Sequence, residues 1–220
     1  MQISASQFAA HPAGHAFLLR KPLAMPTCSK CATCAADVFE HARSEVDDAD
    51  MLQILQVKAA SSATVIIEGE LHVGGFKAAM NEAKRDSVSG VVNAAGTKLH
   101  DFLKNSRSAF DQLRAQDRCL DLEWDDSETF EIDVAALAKA IAWARERVST
   151  GKPVLVNCAQ GKSRSGTFAC AYLMATRDLD AAAALRMVQE RRPFVQPNPG
   201  FMAFLRRNEA ALRSLKTEIS

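Results

Sequence analysis

The pattern of apolar and polar positions divides the chain near residue 60. Over residues 1–60 no period of two or of 3.6 persists, and Pro12, Pro22 and Pro26 interrupt the segment. From Thr64 onward, strand-like and helix-like segments alternate. Residues 65–67 and 71–73 predict two short strands about a turn, with Gly74 and Gly75 ending the second. Residues 90–96, GVVNAAG, predict a buried strand that runs into a loop. Residues 119–124 alternate as a further strand, and Asp125-Asp126-Ser127 after it is loop chemistry. Val134, Leu137, Ile141 and Val148 recur at helical spacing between Asp133 and Ser149, before Gly151-Lys152-Pro153 stops the helix. Val154-Leu155-Val156 is apolar on both faces, as a buried parallel strand requires. More helices are predicted over 165–176, 180–191 and 200–215, the last entered through Pro197-Asn198-Pro199. Strand, helix, strand in this order implies a right-handed crossover and an α/β fold. The expected organisation is an extension over 1–60 and one domain over 61–217.

Composition changes this picture little. A chain of 220 residues accommodates one well-filled domain and an appendage. Twenty-seven basic and 26 acidic residues give a net charge of +1, which offers no electrostatic case for nucleic acid. The longest apolar runs, such as 167–176, fall short of the roughly 18–20 residues that cross a bilayer, so no membrane span is expected. Six cysteines do not form a dense disulfide framework, and the N-terminus lacks the start of a secretion signal, so a reducing, cytoplasmic setting is expected. The first acidic residue is Asp37, a faint likeness to a transit peptide, although a disordered tail is the favoured reading; Gln2 excludes N-myristoylation. Nothing in the pattern specifies an oligomeric state.

Chemistry concentrates after the apolar strand. Cys158 stands at its carboxyl end, and Arg164 follows six residues later at the start of a helix. In such a loop the backbone N–H groups of Ala159, Gln160, Gly161, Lys162, Ser163 and Arg164 converge on one point, and the helix dipole adds positive potential. Gly161 lets the loop curve. The field that binds phosphate also favours the thiolate, the nucleophilic form of cysteine. Arg164, a planar fork, suits two phosphoryl oxygens.

This loop resembles the Cys-x5-Arg-Ser signature of the protein tyrosine phosphatases, and its surroundings are similar to the dual-specificity branch. LHVGGFKAAMNE and GVVNAAG resemble that family's first strands. AYLMATRDLDAAAALRMVQERRP and the Asn198-x-Gly200-Phe201 turn resemble its stretch after the loop, so the likeness runs from about Ala63 to Leu215. It implies a three-layer phosphotyrosine-phosphatase-like fold, with a mostly parallel sheet between helices. It also implies phosphoprotein substrates, a phosphocysteine intermediate on Cys158 and no cofactor. The proton donor is implied to be an aspartate roughly thirty residues upstream; Asp126, thirty-two positions ahead, is chosen over Asp125. Ser165 would hydrogen-bond the departing thiolate.

The likeness is incomplete. The family usually carries histidine before the nucleophile, whereas Asn157 never carries charge. That opens the reading of a weakly active, phosphate-binding pseudophosphatase. Lys162 also resembles the loop lysine of phosphoinositide phosphatases, so inositol phosphates are the other alternative substrates. Outside the likeness, Cys28, Cys31 and Cys34 have spacings that zinc sites use, although a closed site needs a fourth ligand such as His11, His15 or His41. Cys119 and Cys170 fall on apolar faces, with Cys119 the candidate redox partner for Cys158. Arg191-Arg192 and Arg206-Arg207 read as a solvated rim, and His72 and His100 as structural or exposed.

Overall fold

The computed structural model describes residues 60–102 and 106–215. Its five strands are β1 (Thr64–Ile67), β2 (Leu71–Gly75), β3 (Gly90–Asn93), β4 (Cys119–Asp121) and β5 (Val154–Cys158). They lie in the order β1-β2-β5-β3-β4. β1 is antiparallel to β2, and the other neighbours run parallel. β5 is therefore central, and all five of its residues are buried. Its two neighbours end beside it, with Gly75 opposite Cys158 and Asn93 opposite Asn157. The carboxyl end of a central parallel strand is where ligands gather in α/β sheets.

Alternation along the strands divides the core into two layers. Val154, Val156 and Cys158 face a large cluster formed with α4 (Val134–Val148), α5 (Arg164–Arg177), α6 (Ala181–Arg191), α7 (Pro199–Arg207) and α8 (Glu209–Ser214). Leu155 faces the opposite cluster, built with α1 (Phe76–Arg85) and α3 (Arg107–Ala115). α2 (Leu99–Phe102) lies in the connection between β3 and α3. Helices thus cover both faces of a mostly parallel sheet, the expected fold class.

The elements depart from expectation in five places. Phe76–Arg85 and Arg107–Ala115 are helices that the apolar pattern did not announce. β4 ends at Asp121, and Leu122 and Trp124 instead donate backbone hydrogen bonds to Asn93 and Ala94. The two glycines continue β2 because they pair with Asn157 and Cys158. The last predicted helix divides at Asn208, whose amide donates to the Phe204 carbonyl.

Candidate active site

The loop between β5 and α5 is held from outside by its carbonyls. Phe76 N–H donates to Ala159 O (3.3 Å), Gln196 N–H to Lys162 O (3.2 Å) and Thr167 N–H to Ser163 O (2.8 Å). Arg192 takes the two between them, donating from Nε to Gly161 O (2.9 Å) and from Nη2 to Gln160 O (3.4 Å). A peptide whose carbonyl is tied outward turns its N–H the other way, toward the concave side. Gly161 N–H accordingly donates to Cys158 Sγ at 3.3 Å. Ser165 Oγ lies 3.3 Å from the same sulfur, and both Cys158 and Ser165 are buried.

Gly161 is required at the bend. Its φ is +73°, and a Cβ there would lie 2.4 Å from Arg192 Nη2 and 2.6 Å from the Gly74 carbonyl carbon.

Arg164 and Asp126 meet across the loop. Arg164 Nη1 donates to the Trp124 carbonyl at 3.2 Å, and its Nε lies 3.5 Å from Asp126 Oδ2 without hydrogen-bond alignment. Asp126 Oδ1 accepts from Ser163 Oγ (2.6 Å) and from Asn198 Nδ2 (3.1 Å). Asn198 N–H in turn donates to Ser163 Oγ at 3.2 Å, while its side-chain oxygen caps α7 through Phe201 N–H at 2.9 Å. The Asp126 loop is thus fastened to both the loop after β5 and the α7 turn. Trp124 and Phe130 pack on Phe201, and a Cβ on Gly200 would lie 1.9 Å from the Glu128 carbonyl oxygen. Asp125 is exposed. A cleft of about 340 Å³ opens beside this junction, lined by Asp126, Gln160, Lys162, Ser163 and the 196–199 turn.

Asn157 is fully buried and donates weakly to Asn93 Oδ1 at 3.4 Å, while its own Oδ1 has no hydrogen-bond partner among the described residues. From Asn93 a polar chain runs away from the site: Asn93 Nδ2 to Asp121 (2.7 Å), Asp121 to Arg114 (2.8 Å), and Arg114 to His100 Nε2 (3.1 Å). Burial, followed by the Arg114 charge, holds the His100 imidazole below its ordinary value.

The sequence-predicted residues Cys158, Gly161, Ser163, Arg164, Ser165 and Asp126 come together here. Lys162 and Gln160 line the cleft. Two expectations are corrected. Arg192 is 1% exposed and lies under the loop; of the paired arginines, Arg191, Arg206 and Arg207 remain exposed. Cys119 cannot reach Cys158: it stands two strands away and level with Leu155, about 10 Å along and about 10 Å across, where a disulfide needs Cα atoms within roughly 7 Å. Burial, then Asp121, pushes its thiol up to about 12. The Cys28, Cys31 and Cys34 cluster lies outside the described residues. Among those described, no three His, Cys, Asp or Glu side chains are grouped to hold a metal, and no helix is long and apolar enough to cross a membrane. The side chains of Asn198 and Arg192 were not anticipated here; the Asn-x-Gly-Phe turn was the available signal for the first.

A strand-end cysteine, an outward-tied loop and an arginine at a helix start are the architecture of a cysteine-based phosphatase. Residues 71–211 match the family model described as "Dual specificity phosphatase, catalytic domain", and the chain belongs to that family, within the protein tyrosine phosphatase superfamily. Human dual specificity phosphatase 28 is 41% identical over 81 residues, which are 37% of this chain and 46% of that protein. Bovine dual specificity protein phosphatase 26 is 32% identical over 145 residues, 65% of each chain. The chain spans less than two thirds of the length of either relative. The crystal structure of human DUSP28 superposes with a TM-score of 0.54 at 26% identity, covering 69% of this chain and 95% of that one.

Proposed function

We propose that residues 61–217 form the catalytic domain of a protein phosphatase that hydrolyses phosphotyrosine and phosphoserine or phosphothreonine through a phosphocysteine on Cys158. The observation that carries this reading is the pair of polar groups at the sulfur, the Gly161 N–H that donates to it and the Ser165 hydroxyl, each 3.3 Å away. Both stabilise a thiolate, as nucleophile and as leaving group. The sulfur attacks phosphorus while the loop N–H groups of residues 159–164 and the Arg164 fork hold the equatorial oxygens. Asp126 protonates the departing oxygen and then takes a proton from the water that cleaves the S–P bond. Thiolate, acid and water complete the cycle, so no cofactor enters. In this reading phosphate draws the Arg164 fork from Asp126 and Trp124 onto its own oxygens. A reducing, cytoplasmic setting suits the thiol.

Alanine at Cys158 should abolish turnover of an aryl phosphate, and retained turnover contradicts the proposal. Lys162, at the rim of the cleft, favours inositol phosphates as a second substrate class, since a further cation there meets a second phosphate. Phosphopeptides and phosphoinositides assayed side by side separate the two. The neutral Asn157 favours a binding pseudophosphatase, for which a Cys158 thiol titrating at the free value of about 8.5 would be the signature.

A further inference from the structure

The buried Arg192 has no role in the chemistry described so far. It directly follows α6, with its N–H tied to the Val188 carbonyl and its side chain driven into the protein beneath the phosphate loop. Every part of its fork is engaged. Nε and Nη2 hold the Gly161 and Gln160 carbonyls, and Nη1 donates to Thr64 Oγ1 at 2.8 Å and reaches the Ser62 carbonyl at 3.5 Å. The guanidinium stacks over Phe194, 4.4 Å from the ring centre. Burial lowers it to about 10, with the Cys158 charge pulling the other way, so it is protonated at neutral pH.

Two of the five loop carbonyls therefore depend on one side chain, and they belong to the residues at the bend. Gly161 is also the residue whose N–H points at the sulfur. Turning the Gly161 carbonyl inward would bring an acceptor toward a site that must hold an anion. A buried cation beneath the loop also favours an anion held within it, because the low local dielectric weakens screening.

We infer that Arg192 is a positioning residue of the phosphate loop: from behind, it fixes the Gly161 and Gln160 carbonyls outward and supplies the fixed positive charge that the neutral Asn157 does not. The inference rests on the phosphatase reading for its kinetic consequences, but its physical core is separable from turnover. A lysine at 192 keeps the charge and loses the fork; a methionine loses both.

The test uses the full chain with Arg192→Lys and Arg192→Met. Alkylation of Cys158 by iodoacetamide is followed against pH on the peptide that carries it, with and without inorganic phosphate, alongside aryl phosphate kinetics. In Arg192→Met the alkylation midpoint moves up by about one pH unit, phosphate protects poorly, and kcat/KM falls about 100-fold. In Arg192→Lys the midpoint stays near that of the unsubstituted chain while KM and the phosphate needed for protection rise about tenfold. A folded methionine variant with an unmoved midpoint overturns the inference, as do equal midpoints in the two variants. If the methionine variant does not fold, the lysine variant decides: unchanged KM and protection overturn the inference, and the tenfold rise supports it. Should the unsubstituted chain fail to hydrolyse aryl phosphates, the phosphatase reading falls, while alkylation and protection still test Arg192.

Discussion

Replacing Gly161 by alanine concentrates the account of the loop into one methyl group. At φ +73° an L-residue costs about 1–2 kcal/mol relative to an ordinary conformation. The added Cβ would lie 2.4 Å from Arg192 Nη2, 2.6 Å from Gly74 C and 2.7 Å from Gly74 O. The arginine is bound on several sides and Gly74 sits in a strand paired with Asn157, so neither neighbour yields cheaply. Overpacking of this kind costs about 1–3 kcal/mol. A combined loss near 3 kcal/mol lowers the melting temperature by about 6–12 °C in a domain of this size. Activity suffers separately: the Gly161 N–H and its flanking peptides would shift away from the sulfur, and a displacement of about 1 Å at such a site costs about 100-fold in rate. Thermal unfolding by circular dichroism measures the first effect, and aryl phosphate kinetics on the folded fraction the second. An unchanged melting temperature together with an unchanged kcat/KM would refute the placement of the loop against Arg192 and β2.

Three further outcomes follow from the same geometry. Asp126→Asn should lower kcat by about 10²–10⁴ for alkyl phosphates and much less for a good aryl leaving group that needs no proton; equal losses for both would remove Asp126 as the acid. Iodoacetamide at pH 8 should label Cys158 and spare Cys119 and Cys170, whose thiols burial pushes up to about 12; mass analysis showing comparable labelling of Cys170 contradicts the packing of α5. Because His100 is held below its ordinary value, the unfolded chain takes up the extra proton. This contribution to stability is present above about pH 6.5 and is lost as pH falls through the folded value. His100→Gln should therefore melt with a shallower decline between about pH 7 and 5, and an unaltered slope counts against the buried placement of His100.

How much was legible follows from local signals. The helices α4, α6 and α7 were anticipated where Asp133, Asp180 and Asn198 cap them, each accepting from a backbone N–H three residues on. α1 follows Gly75 and α3 follows Ser106, and neither residue's side chain caps its helix. The Cys158 loop was legible because the constraints that make it a loop, a buried strand, a bend glycine and a helix start, are contiguous. Arg192 was not: Glu-Arg-Arg-Pro reads as solvated charge, and only the convergence of β1, the loop and the end of α6 makes a buried site for one guanidinium. Asp126 could be chosen over Asp125 only through the family likeness. What distinguishes it physically, its contacts with Ser163, Arg164 and Asn198, spans 37, 38 and 72 residues of chain.

In the proposed mechanism Cys158 carries the phosphoryl group during turnover. Mixing the full chain with an aryl phosphate, quenching with acid within the first turnovers and mapping the modified peptide by mass spectrometry tests it directly. Ser165→Ala is used in parallel to slow release of the thiolate. One phosphoryl group is expected on Cys158, more abundant in Ser165→Ala and absent from Cys158→Ala. Turnover with no phosphoryl group on Cys158 in either chain, or with the group on another residue, would contradict it.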